Sequence, residues 1–145
     1  MIREAEKQDL QGLLELYLHL HETSVPEEST YRTSLWNRIL NDPDYHIIVA
    51  EEDEKIVSSC VCVIVPNLTH GLRPYALIEN VVTDAAYRNR GLASACLARA
   101  KEIAIQANCY KLMLMTGSKE QKTLDFYAHA GYSSLDKTAF VQWLE

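Results

Sequence analysis

From residue 78 the chain reads Ile78-Glu79-Asn80-Val81-Val82-Thr83, then Asp84-Ala85-Ala86-Tyr87, then Arg88-Asn89-Arg90-Gly91-Leu92-Ala93-Ser94. The first block belongs to an apolar, β-branched run from Tyr75 to Thr83 and predicts a strand. The second is a short loop. In the third, Gly91 opens a pattern with Leu92, Cys96, Ala100, Ile103, Ala104 and Ala107 on one face, which predicts a long helix reaching about Ala107. A strand feeding a helix through a glycine turn is a natural anion site. The first turn of the helix carries unpaired backbone N–H groups and the positive end of the helix dipole. Gly91 and Ala93 let a ligand approach the backbone, Arg88 and Arg90 add positive charge, and Ser94 adds a hydroxyl. The turn lacks both the Lys-Ser/Thr of a P-loop and the three glycines of a dinucleotide fingerprint.

Outward from this stretch the elements alternate. Downstream, Tyr110 to Met115 is a continuous apolar run, as expected of a strand covered on both sides. A helix from about Glu120 to Ala130 follows, with Gly131 at its C-terminal cap, and Lys137 to Leu144 predicts a last strand. Upstream, Ile2 to Ala5 is a short strand. Asp9 is placed to cap a helix carrying Leu10, Leu13, Leu14, Tyr17 and Leu20. A second helix spans about Glu28 to Leu40 with Tyr31, Leu35, Trp36 and Ile39 as its stripe, ended by Asp42-Pro43. His46 to Glu51 and Lys55 to Val65 predict a hairpin turned by Glu52-Asp53-Glu54, and Pro66 to Pro74 is a loop. The fold class is therefore α/β (α+β): one mixed, mostly antiparallel central sheet flanked by about four helices, in a single domain of residues 1–145.

Composition bounds the function. The 145 residues are 48% hydrophobic and 23% charged, which suits a folded domain, and the net charge of −6 disfavours nucleic acid and anionic membranes as partners. No apolar run is long enough for a membrane helix, and the charged N-terminus does not read as a signal peptide, so a cytoplasmic location is expected. Cys60, Cys62, Cys96 and Cys109 lack zinc-site spacing and are expected to be free thiols. His19, His21, His46, His70 and His129 share no ligand spacing, so no metal is expected.

Arg88-Asn89-Arg90-Gly91-Leu92-Ala93 resembles the Gln/Arg-x-x-Gly-x-Gly/Ala motif of the GNAT N-acetyltransferases. The strand before it, the helix and strand after it, and Phe126-Tyr127-Ala128-His129-Ala130-Gly131-Tyr132 are similar to that family's order and to its Phe-Tyr-x-x-x-Gly-Phe/Tyr motif. The likeness is good from Tyr75 onward and holds only in outline before it. Ile78-Glu79-Asn80-Val81-Val82 and Asn108-Cys109-Tyr110-Lys111 are also similar to segments of glucosamine-6-phosphate N-acetyltransferases. That group has Asp where this chain has Asn80 and Asn where it has Thr123, so the substrate is not carried over.

The resemblance implies acetyl-CoA as cosubstrate, bound where the fourth and fifth strands splay. The backbone of Val81, Val82 and Thr83 would pair with the pantetheine arm, and Arg88, Asn89, Arg90, Gly91, Leu92, Ala93 and Ser94 would hold the pyrophosphate. It implies Tyr127 as general acid toward the departing thiolate, and the backbone N–H of Val82 as an oxyanion donor. Glu79, a lone carboxylate in an apolar strand, is the candidate base; the other reading is a carboxylate paired with a nearby Arg or Lys, or one that only binds the substrate ammonium. Lys119 and Lys122 sit where they could reach the adenosine phosphate or simply be solvated. His70, Arg73 and Glu22 are candidate acceptor contacts. The expected reaction is N-acetylation of a primary amine, of a small molecule first and of a peptide as the alternative. A non-catalytic acyl-CoA sensor would need neither Glu79 nor Tyr127. A homodimer is expected from similar proteins.

Overall fold

The computed structural model describes all 145 residues. Strand β1 (Ile2–Glu4) leads through a 3-10 turn (Lys7–Asp9) into helix α1 (Leu10–Leu16), which runs on as a second 3-10 turn (Tyr17–His19). Helix α2 (Thr30–Asn41) starts on Ser29, whose hydroxyl accepts from the Arg32 N–H at 3.0 Å. Strands β2 (Tyr45–Glu52), β3 (Lys55–Val65) and β4 (Tyr75–Thr83) follow, then helix α3 (Leu92–Gln106), strand β5 (Leu112–Leu114) and helix α4 (Gln121–His129).

The sheet order is β1-β2-β3-β4-β5, antiparallel throughout except for the parallel pair β4–β5. Asp53 and Glu54 both take positive φ, 51° and 60°, in the two-residue turn joining β2 to β3. One face of the sheet packs Cys60, Cys62, Ala76 and Ile78 against Cys96, Leu97, Ala100, Ile103 and Ala104 of α3. The other packs Ile47, Val49, Val61 and Val82 against Leu13 and Leu16 of α1 and Trp36 of α2. The indole of Trp36 donates to the Lys7 carbonyl at 3.0 Å, so α2 is pinned to the turn before α1.

Both later helices end in the same cap, at Gly131 as its sequence predicts and at Asn108, which the sequence reading did not single out. After α4, Gly131 takes φ 99°, its N–H donates to the Ala128 carbonyl, and the Tyr132 N–H reaches back to the Tyr127 carbonyl. Those two bonds define a Schellman cap. After α3, Asn108 at φ 64° makes the same cap, with Asn108 bonded to Ile105 and Cys109 to Ala104.

Two expectations change. Asp9 does not cap α1: its carboxylate accepts from the Glu6 N–H at 2.6 Å and from the Arg3 guanidinium at 2.6 and 3.0 Å. It thereby ties the first turn to β1, and Arg3 holds its carboxyl below the ordinary range. Lys137 to Leu144 forms no strand. No backbone–backbone hydrogen bond involves residues 133–145, and Phe140, Val141, Trp143 and Leu144 lie exposed. The apolar pattern is that of a strand, but this chain lays no edge beside it.

Candidate active site

The site begins with a fault in β4. Glu79 pairs with Val61 and Val82 with Ser59, so Asn80 and Val81 together face Cys60. Asn80 is the extra residue of this β-bulge and takes φ 51°, a conformation Asn tolerates better than most residues. The bulge shifts the strand's alternation: Ile78 packs on the α3 face, whereas Val82 packs on the α1–α2 face. Pairing of β4 with β5 stops at Ile78–Leu114, so from Glu79 to Thr83 no strand covers that edge of β4. The strands part here, at the bulge.

The backbone groups along the free edge are those of alternate residues. The Val82 carbonyl accepts from the buried Ser58 hydroxyl at 3.0 Å, which turns Val82 toward β3. A residue's N–H and C=O share one side of a strand, so Val81 and Thr83 face outward. The Thr83 carbonyl indeed receives Arg88 Nε at 3.4 Å from the loop. The expectation of Val82 as oxyanion donor is therefore corrected, because its N–H faces β3.

The edge runs directly into the helix start. Gly91 precedes α3 in the left-handed region, φ 75°, and no side chain caps the helix. A Cβ built on Gly91 would meet nothing within 4 Å. Asn89 also takes positive φ, 64°. The turn thus presents the first N–H groups of a 15-residue helix to open space. Ser94 is exposed, while Leu92 packs into the α3-side core and Ala93 is half-buried, which roots the turn. Arg88 is exposed at the turn's entrance. Arg90 stacks over the Tyr87 ring, 4.8 Å from its centroid, with Nη1 3.4 Å from Glu52. That exposed ion pair is weak.

Asp84 holds this connection in place, and sequence reasoning missed it. Only 5% exposed, it accepts Lys55 Nζ at 2.7 Å and the Ala86 N–H at 2.9 Å. His19 Nε2 lies 3.7 Å away, and the Ala85 N–H donates to His19 Nδ1 at 3.4 Å. Lys55, then the Ala86 N–H, hold the Asp84 carboxyl below its ordinary range. A depressed carboxyl stabilises the fold above the unfolded pKa of about 4, and this contribution disappears as pH falls through the lower folded value. Asp84→Asn is expected to lower Tm by about 4 °C at pH 7, from a cap worth about 1 kcal/mol. The gap to wild type should narrow in melts below about pH 4; a constant gap would remove the charge from this account. The Thr-Asp-x-x-Tyr pattern after a strand was the available signal.

Glu79 and Tyr127 approach from opposite faces. Glu79 shares the α1–α2 face with its cross-strand partner Val61. It is exposed and has no salt bridge or side-chain hydrogen bond, so the paired-carboxylate reading is not what the structure holds. Tyr17 and Tyr45 stand near it: burial, then the Glu79 charge, raises the Tyr45 phenol, and burial raises Tyr17, which Asn80 neighbours. Neither tyrosine stood out in the sequence as a site residue. Tyr127 packs against the α3-side core, edge-on to Phe126 at 5.1 Å and to Tyr132 at 6.3 Å. Burial raises its phenol above the ordinary value, so it is protonated at neutral pH.

Other expectations fall outside the site. His70 stacks on Tyr110 at 3.8 Å, and Arg73 donates to the Asn108 and Cys109 carbonyls at 3.1 Å. Both therefore belong to the end of β4 where the loop meets the α3 cap, at least five residues before the bulge and away from the gap. Glu22 lies exposed in the loop before α2. Lys119 and Lys122 are exposed around the start of α4. All four cysteines are free, and Cys60, Cys62 and Cys96 are buried.

The comparisons with known proteins agree with this geometry. The Acetyltransferase (GNAT) family profile matches residues 10–132. The chain belongs to the GNAT acetyltransferase family. The Trypanosoma brucei brucei glucosamine 6-phosphate N-acetyltransferase is 30% identical over 144 residues, covering 94% of this chain and 90% of that protein. A solved Agrobacterium tumefaciens protein superposes with TM-score 0.91 and 40% identity over 99% of both chains. AAC(6')-Iy, in complex with the bisubstrate analogue CoA-S-monomethyl-acetylneamine, shares the fold at TM-score 0.80 and 16% identity, over 99% of this chain and 97% of that one. The GNAT fold and acetyltransferase activity read from the motifs are thus borne out.

Proposed function

We propose that residues 1–145 act as one N-acetyltransferase domain that moves the acetyl group of acetyl-CoA to the primary amine of a small molecule. The observation that carries this reading is the free edge of β4, which leads straight into the uncapped start of α3. An extended arm can pair with the outward backbone of Val81 and Thr83, with Val82 supplying the wall between them. The pyrophosphate at its end then meets the turn of Arg88, Asn89, Arg90, Gly91, Leu92, Ala93 and Ser94. AAC(6')-Iy, which shares this fold, is in complex with a CoA-based bisubstrate analogue, and that supports coenzyme A as the ligand here. The trypanosome relative makes an amino sugar phosphate the first acceptor to test.

The chemistry asks the protein for two things. An alkyl amine of pKa about 10.4 is only about one part in 2,500 neutral at pH 7, a gap of about 4.6 kcal/mol. Glu79, free of any partner on the acceptor face, takes the ammonium proton directly or through water. The amine nitrogen bonds to the thioester carbonyl carbon, the C–S bond breaks, and the sulfur leaves with its electron pair toward the Tyr127 hydroxyl, while the nitrogen's surplus proton passes through solvent to the departing thiolate. Four free cysteines suit a reducing compartment, which supports a cytoplasmic location. The apolar, exposed C-terminal segment supports a homodimer.

The test is calorimetric titration of acetyl-CoA, followed by a thiol-release assay over an amine panel that includes glucosamine 6-phosphate, aminoglycosides and lysine peptides. Saturable binding and turnover of a small amine are expected. Glu79→Gln should bind acetyl-CoA normally and turn over about 100-fold more slowly at pH 7. Its deficit should shrink as pH rises toward the amine pKa, where solution supplies the neutral amine. Folded protein that binds no acetyl-CoA would overturn the reading, and turnover of peptides alone would replace the acceptor class.

A further inference from the structure

The turn before α3 turns one of its cations aside. Arg90 immediately precedes Gly91, yet its guanidinium lies over the Tyr87 ring, 4.8 Å from the centroid, with Nη1 3.4 Å from Glu52 Oε2. A positive charge is disfavoured at the positive end of a helix dipole, whereas a ring face and a carboxylate both attract it.

Glu52 is free to take Arg90 because its own neighbour is engaged elsewhere. It ends β2, and its cross-strand partner is Lys55. Opposite charges so placed ordinarily pair with each other. Here Lys55 Nζ instead reaches Asp84 at 2.7 Å, in the connection between β4 and α3. The Asp84 N–H donates to the Val57 carbonyl at 2.8 Å, so hairpin and connection are fastened at two points. The turn of Asp53 and Glu54, both at positive φ, fixes the tip of the hairpin. Two ion pairs, Asp84–Lys55 and Glu52–Arg90, therefore stand beside the Tyr87 ring, whose centroid is 5.6 Å from Lys55 Nζ. They are unequal. Asp84 is buried and its bond to Lys55 is short, whereas the Arg90 side chain is 54% exposed and its contact with Glu52 is long. A pair of the second kind opens readily.

We propose that Glu52 limits affinity for the cosubstrate: it withholds Arg90 from the pyrophosphate, which must draw the guanidinium off Glu52 in order to bind it. This rests on the reading of residues 88–94 as the pyrophosphate turn. Parting an exposed pair corresponds to about two- to fivefold in affinity. Acetyl-CoA and the coenzyme A left after transfer carry the same pyrophosphate, so Glu52 loosens the hold on product and cosubstrate alike.

The test is calorimetric titration of acetyl-CoA, CoA and dephospho-CoA into wild type, Glu52→Gln, Glu54→Gln, Arg90→Gln and the double variant at Glu52 and Arg90. Glu52→Gln should bind all three ligands about threefold more tightly at about 0.05 M salt, and the gain should fade toward about 0.5 M as the charges are screened. Glu54→Gln removes an exposed carboxylate from the same hairpin turn and should change affinity far less. In the Arg90→Gln background the Glu52 substitution should have no effect, because the residue it acts through is gone. Unchanged binding in Glu52→Gln would overturn the proposal, and weaker binding would make Glu52 a support that orients Arg90 for the ligand. An equal gain in Glu54→Gln, or in the Arg90→Gln background, would overturn it in favour of overall charge. A gain lost with dephospho-CoA, which keeps the pyrophosphate and lacks the ribose phosphate, would overturn the pyrophosphate as the target. Wild-type protein that binds no acetyl-CoA would overturn the reading of the turn and this inference together, whereas each of the other outcomes leaves that reading standing.

Discussion

Gly91→Trp protein is expected to fold and to bind acetyl-CoA about 100-fold more weakly or worse in a calorimetric titration. The reasoning joins two features of one residue. Gly91 sits at φ 75°, so a side chain there costs about 1–2 kcal/mol of backbone strain, which a folded domain can bear. A Cβ at this position would meet nothing within 4 Å, so the side chain leaves the backbone into open space. That open space lies at the uncapped start of α3, where a phosphate would accept the backbone N–H groups. Losing two charge-assisted hydrogen bonds of about 1.5 kcal/mol each corresponds to the stated factor. Gly91→Asn separates strain from obstruction, because Asn accepts the left-handed conformation with a small side chain, and its loss should be several-fold smaller. Arg90→Glu should also cost less, because Arg90 is already turned toward Glu52 and Tyr87. Unchanged affinity in Gly91→Trp would place the phosphates elsewhere.

The difference between Gly91 and Arg90 shows what could be read in advance. Gly91 is required by backbone geometry that a motif spacing encodes, so the strand–turn–helix unit and the limits of β4 were legible. Where Arg90 points depends on Glu52, 38 residues away, and no local pattern carries that. The bulge was hidden in the same way. Asn80 inside a β-branched strand was noted as a departure, yet its positive φ is what moves Val82 to the other face and parts β4 from β5. Asp84 was passed over because its partners, Lys55 and His19, come from distant elements. His70 and Arg73 were placed near the acceptor because they sit in a polar loop before β4. The loop's end of the strand, fixed by Arg73 bonding to the α3 cap, is the wrong one. The apolar pattern of residues 137–144 was legible, but the strand expected from it does not form, because pairing is not a property of one segment.

Tyr127→Phe protein is expected to keep its stability and its affinity for acetyl-CoA while kcat falls about 100-fold. The ring's edge-on contacts with Phe126 and Tyr132 use no hydroxyl, and the Tyr132 N–H bonds the Tyr127 backbone carbonyl, so the variant retains the local packing and the α4 cap. What it would lose, on the proposed mechanism, is a donor to the departing sulfur. Burial, then the nearby Cys60, raises the phenol. A raised pKa makes it a poorer acid than a free phenol, and a thiol of pKa about 8.5 is more acidic still. Full proton transfer to the thiolate is therefore uphill, and the hydroxyl acts chiefly by donating a hydrogen bond as the C–S bond breaks. The same burial keeps the donor in place across the neutral range, so its ionisation should put no alkaline limb on the rate below about pH 10. The Tyr127→Phe deficit should then be constant from pH 6 to about pH 9, whereas the Glu79→Gln deficit narrows as the amine loses its proton. Stopped single-turnover measurements on the two variants over that range separate the roles. A Tyr127→Phe enzyme with wild-type kcat would leave the tyrosine as core packing, and the thiolate would have to leave without help from α4.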